Sequence, residues 1–284
     1  MGRAAIFQGT GAVWNALFGN RAEAQRSAAA ALSLFRSRDV DYGPAFALAL
    51  LHDSALYTGT HFEASGGLGY RVILHGTGGT YQKVTAVNGT TGDLTLSGAV
   101  TAFTIPVSPL SGVLFFEDRV WIDGDYSVPV TVVSSATSVD NTNGGIGGDK
   151  GNSPYANSAF FIVGNLMPSD VNSTAVCGLV SPGDLSIPIW YDSITRAFGQ
   201  FNSPQMTIWA AMISQDGTLH CDNNGPGRVE DLYVCGSRTG QQAGNFSGVV
   251  KSVMDYDERL ERQSPPLFPI IRDGSMTVDS WIEN

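Results

Sequence analysis

Few residues in this chain are spaced for chemistry, and most of those are carboxylates. Asp123 and Asp125 in WIDGDYS stand at i and i+2, which puts two carboxyls on one face of a strand. Glycoside hydrolysis needs such a pair about 5–10 Å apart, and Glu117 and Asp118 lie one corner earlier. Against catalysis, Gly124 between the pair argues for a turn, and no Lys or Arg is expected as their partner. Asp commonly accepts backbone N–H groups in turns. Capping is therefore the preferred role.

The polar stretch VDNTNGGIGGDKGNSP (139–154) offers Asp140, Asn143, Asp149 and Asn152, oxygen ligands suited to Ca²⁺. Its GGIGGD is one imperfect copy of a calcium β-roll phrase. A surface excursion is the preferred reading, and no metal or other cofactor is expected. Trp190 and Tyr191, after Pro188, form the stretch best suited to stack on a glycan. Cys177, Cys221 and Cys235 lack metal-ligand spacing. Cys221 and Cys235 are a candidate disulfide pair, with three buried thiols as the alternative. His52 and His220 fall at equivalent places in two recurring segments, with no G-x-S-x-G turn nearby, so they read as face or corner residues. No enzyme activity is expected.

Composition narrows the class. Charged residues are 15% of the 284, the formal net charge is −10, and Gly supplies 34 positions. A hydrophobic fraction of 43% is too high for a disordered chain. The 16 scattered bases form no stripe that would neutralise nucleic-acid phosphates. No apolar run is long enough for a membrane helix. What remains is a turn-rich, mainly β protein solvated by neutral polar groups.

Residues 21–37, RAEAQRSAAAALSLFRS, predict one helix on the strength of their Ala run. It belongs to an N-terminal segment, 1–43, acting as a cap or assembly element. From 44 to 284, short Val, Ile, Phe, Tyr and Thr runs alternate with Gly, Asn, Asp and Pro. Four segments superpose: 47–59, 112–124, 176–188 and 209–222, with corner acids Asp53, Asp118, Asp184 and Asp216. A unit that recurs but cannot bury its own inner face predicts a single-stranded parallel β-helix, a solenoid of stacked coils. The strand over 273–284 would cap or join its end. A β-sandwich is the alternative architecture.

The stretches GVLFFEDRVWIDGDYSVPVTVVSS, AVCGLVSPGDLSIPI and MTIWAAMISQDGTLHCD resemble the β-helical region of bacterial pilus-associated (PilX-like) cell-surface proteins. The most specific part of the resemblance is GVVKSVMDYDERLERQSPPLFP, with Tyr256, Asp257, Arg259, Leu260, Pro265, Pro266 and Phe268. It covers about residues 45–282. Those proteins usually begin with a membrane-spanning, pilin-type helix, and residues 1–37 carry no such segment. The resemblance implies structural display at the cell surface or outside the cell. The expected function is a self-assembling filament or pilus-like subunit whose partner is another copy of itself. A carbohydrate-binding or carbohydrate-cleaving spike or adhesin, with surface glycans as partner, is the alternative.

Overall fold

Runs such as VLFF and VTVVS contain only apolar and hydroxyl residues and are buried at every position. Strands of that kind must be covered on both faces, which is the habit of parallel sheets. The computed structural model describes residues 59–88, 93–107, 112–136, 158–188, 191–192, 197–198, 205–214, 217–221, 229–240, 246, 248–266, 268, 270–272 and 275–277. The predicted helix over 21–37, the segment 1–43 and the first recurring unit lie outside the described residues, apart from Gly59.

The chain is mainly β. The strands are β1 (Thr60–Phe62), β2 (Gly69–His75), β3 (Gly78–Val87), β4 (Leu94–Thr104), β5 (Val113–Phe116) and β6 (Arg119–Tyr126). They continue with β7 (Val130–Ser134), β8 (Ser158–Pro168), β9 (Cys177–Ser181), β10 (Asp184–Ser186), β11 (Tyr191–Asp192) and β12 (Ala197–Phe198). The last are β13 (Gln205–Ser214), β14 (Leu219–His220), β15 (Val229–Thr239), β16 (Val249–Asp255), β17 (Ile270–Arg272) and β18 (Ser275–Thr277). Fourteen of them form one curled, mixed sheet.

Two parallel runs organise that sheet. In the first, β1, β5, β7, β9 and β13 are successive neighbours, and Leu114, Val132, Leu179 and Met212 stand in register across it. In the second, β2, β6, β8, β10 and β14 follow one another, with Tyr70, Val120, Phe160, Leu185 and Leu219 in register. Strand β13 curls the sheet by bridging the runs. Its Ala211–Ser214 portion pairs with β9, whereas Ile208 pairs with Leu166 of β8. Both ladders deliver apolar side chains to one interior cluster, which also holds Ile122, Ile162 and Leu74. Rungs of this kind lie about 4.8 Å apart, so each inward side chain packs on its in-register neighbours.

Within the main sheet, antiparallel pairing is confined to β2–β3 and β3–β4. A sandwich of two facing antiparallel sheets does not describe this arrangement, so that alternative is set aside. The outer face of the second run is covered by the β3–β4 hairpin. There Val84 and Leu94 pack with Trp121, Phe161 and Val163, and the Trp121 and Phe161 rings stack at 4.9 Å. The outer face of the first run is covered by the chain after β16. Val113, Phe115, Val133, Val180, Ala211 and Ile213 pack against Phe268 and Leu260. Of the expected C-terminal strand over 273–284 only 275–277 lies within the described residues, as β18, which pairs with β17 in a separate two-stranded ladder.

Candidate functional site

The corner carboxylates belong to the joints between rungs. Glu117 and Asp118 follow β5 where the chain turns into β6. Glu117 lies 2.8 Å from His61 Nε2 and accepts the N–H of Ala64, and Asp118 accepts the N–H of Ser65 at 2.5 Å. Asp184 does the same at a later corner, accepting the Thr218 N–H at 2.8 Å. Each acid thus satisfies a backbone donor of the neighbouring corner, a donor that would otherwise need water. Asp53 and Asp216 lie outside the described residues.

Asp123 and Asp125 sit on β6 and are held by different partners. Arg71 Nη2 donates to Asp123 Oδ2 at 2.6 Å, with both side chains largely withdrawn from solvent. This corrects the expectation that no Lys or Arg accompanies the pair: the partner comes from the parallel neighbour β2, 52 residues away in sequence. Gly124 lies inside β6 rather than in a turn. Its φ of 110° bends the strand, and a Cβ there would collide with the carbonyl of Leu74. Asp125 accepts the hydroxyl of Ser169 and the Gly76 N–H at 3.3 Å, and His75 Nδ1 lies 3.7 Å away. The Ser169 hydroxyl, above all, holds this carboxyl below the ordinary aspartate range, against the opposing effect of partial burial; the Gly76 N–H and His75 add to the lowering.

A serine–histidine–carboxylate group, missed in the sequence, joins three rungs of the second run. Ser158 Oγ bonds Ser186 Oγ, Ser186 Oγ lies 2.6 Å from His220 Nε2, and Asp184 Oδ2 lies 3.8 Å from that same nitrogen. A hydrolytic triad requires serine on one ring nitrogen and carboxylate on the other. Here both approach Nε2, and His220 is 4% exposed and Ser186 is fully buried. The group is a buried polar ladder, with its members hydrogen-bonded as buried polar groups must be. The available signal was the alignment of DLS (184–186) with TLH (218–220), which places Ser186 opposite His220.

The phrase singled out near the C-terminus has the densest side-chain chemistry among the described residues. Asp257 starts a 3-10 turn over Glu258–Glu261, and its carboxylate accepts the Arg259 N–H at 3.0 Å. The Arg259 guanidinium donates back to both oxygens of Asp257, at 2.8 and 2.7 Å, and to the carbonyl of Ala175 at 3.0 Å. Its carbon lies 4.6 Å from the centre of the Trp209 ring. The buried Tyr126 hydroxyl donates to the Trp209 carbonyl at 2.7 Å, and burial pushes that phenol far above its ordinary range. Further along, Thr131 Oγ1 donates to the Pro266 carbonyl at 2.5 Å, and Pro266 packs at Gly112 and Pro265 at Gly178. Leu260 joins the outer cluster, and Tyr256 remains exposed. The segment is a strap over β5, β7, β9 and β13.

No disulfide joins the three cysteines, and all are buried. The Cys221–Cys235 pairing is corrected by strand alternation. Cys221 is part of the interior cluster, whereas on β15 it is Leu232 and Val234 that enter it, leaving Cys235 on the other face. Burial pushes the Cys177 and Cys235 thiols up. The candidate calcium ligands Asp140, Asn143, Asp149 and Asn152 lie outside the described residues, as does Trp190. Tyr191 belongs to β11, which pairs antiparallel with β12. Among the described residues, no three His, Cys, Asp or Glu side chains converge as a metal site, and no helix is long and apolar enough to cross a membrane.

No protein family, no curated protein and no solved structure matches this chain.

Proposed function

We propose that this protein is a structural, non-catalytic component at the cell surface or outside the cell, built as a parallel β-helix that associates with copies of itself. The observation that carries the reading is the in-register stacking of the two parallel runs, the first of which continues from β13 through β15 and ends on the exposed strand β16. Stacked coils make a rod whose last rung offers unpaired backbone groups, and a cap or another subunit must satisfy them. The commitment of the described corner acids to neighbouring corners supports a scaffold over an enzyme. A carbohydrate-cleaving role would need two available carboxyls, and Asp123 is engaged by Arg71. The pilus-like filament is the form of assembly suggested by the resemblance of the 248–269 phrase.

Negative-stain images and light scattering of the native protein over a concentration series test this. Association that rises with concentration is expected, into rods or dimers of uniform width. Discrete monomers at the highest concentration overturn the proposal.

A further inference from the structure

Strand β16 reads VVKSVMD, pairs with β15 on one side, and has no strand on its other side among the described residues. Val250 is 63% exposed, Tyr256 53%, Met254 40% and Val253 37%. Natural edges are usually blunted by Pro, bulges, charged side chains or extreme shortness. This one is seven residues long, contains no Pro or Gly, and sets one Lys and one Asp among exposed Val and Met side chains.

The charges select both the occupant and its direction. Lys251 and Asp255 are placed symmetrically about Val253. A second copy laid parallel and in register would set Lys251 on Lys251 and Asp255 on Asp255, and like charges directly opposite are destabilising. Turned antiparallel about Val253, each Lys251 faces the Asp255 of the other copy. Ser252 then faces Met254, and Val250 faces Tyr256. Directly opposite residues lie on the same face of an antiparallel pair with Cβ atoms about 5 Å apart, so all these contacts form at once.

We propose that β16 is a homodimer seam, pairing antiparallel with β16 of a second copy about a twofold axis through Val253, with two reciprocal Lys251–Asp255 pairs. Such an interface is isologous and closes on itself. The inference rests on the proposed self-association and adds its surface and symmetry.

The test uses the full chain and two independent readouts. In the first, light scattering gives the dimer dissociation constant for wild type, K251D, D255K and K251D/D255K. Each single swap creates two like-charge contacts and is expected to weaken association at least tenfold, and the double swap restores it. In the second, V253C is oxidised. Opposed Cα atoms in an antiparallel pair lie about 4.5–5.5 Å apart, within disulfide reach. A covalent dimer is expected for V253C and not for V250C. Monomers throughout overturn both this seam and the proposed function. Oligomers insensitive to the swaps and not linked through V253C overturn the seam alone. Single swaps that weaken association without rescue by the double swap overturn the twofold register.

Discussion

Arg259 sits with its guanidinium carbon 4.6 Å from the centre of the Trp209 ring while its nitrogens grip both oxygens of Asp257. One side chain therefore joins the strap to β13 and, through the Ala175 carbonyl, to the approach to β9. A planar cation suits this place because it can stack on an indole and fork onto a carboxylate together, which an ammonium cannot.

Arg259→Ala is expected to lower stability by about 2–4 kcal/mol, since it strands the buried Asp257 carboxylate and removes the indole contact. Arg259→Lys recovers only part of that, keeping the charge without the fork. Urea denaturation midpoints measure both. Equal midpoints for the alanine variant and wild type would show that the strap merely rests on the sheet.

Gly178 provides the second test of the strap. A Cβ at this position would lie 2.9 Å from Phe268 Cε2 and 3.0 Å from Pro265 Cβ, in addition to a closer clash with the Phe268 ring. Gly178→Ala is expected to cost about 1–3 kcal/mol through overpacking and to speed protease cleavage between 257 and 268. Removing the ring relieves the clash, so G178A/F268A should be less destabilised than the sum of the two single changes. Strict additivity would place Phe268 elsewhere in solution.

The mainly β character and the recurring corners were legible because both are local. The short apolar run in RVWIDGDY and the Gly and Asp at the breaks are written within a few residues of each other. The partners were not legible, because stacking joins residues through the fold's register. Nothing beside Asp123 in sequence points to Arg71, and the intervals between units are too uneven to count it out. The same holds for Ser186 and His220, brought side by side only once Leu185 is aligned with Leu219. The disulfide reading of Cys221 and Cys235 failed on strand parity, which the residue pair Glu230 and Asp231, both exposed, shifts along β15. The 248–269 phrase was visible as a motif, but its role as a cover depends on Gly112 and Gly178 leaving room for Pro266 and Phe268.

The Arg71–Asp123 pair yields a prediction of its own. Arg71 also donates to the Val72 carbonyl at 2.6 Å, so its guanidinium is fixed on the sheet and cannot follow a lost partner into water. Asp123→Asn leaves that buried cation short of its counter-charge, an expected loss of about 2–4 kcal/mol. Replacing both residues with apolar ones of similar size, R71M/D123L, should cost less than the single change. A thermal or urea melt of wild type and these two variants decides the matter, and a double variant worse than D123N would refute the buried-charge argument.

Asp125 gives the acid dependence. Its folded carboxyl is held below its unfolded value, chiefly by the Ser169 hydroxyl and also by the Gly76 N–H and His75. A depressed carboxylate contributes stability that is complete above the unfolded value, near pH 3.8, and fades as pH falls through the lower folded value. The stability gap between wild type and Asp125→Asn should therefore be constant above about pH 5 and shrink on acidification below the unfolded value. Ser169→Ala removes the largest cause and should flatten the dependence without removing the charge. Urea titrations at fixed ionic strength between about pH 2 and pH 7 measure the gap. A gap that stays constant to the acid end would mean that Asp125 titrates alike in the folded and unfolded chain, and that its bond to Ser169 does not hold the loop after β8 in solution.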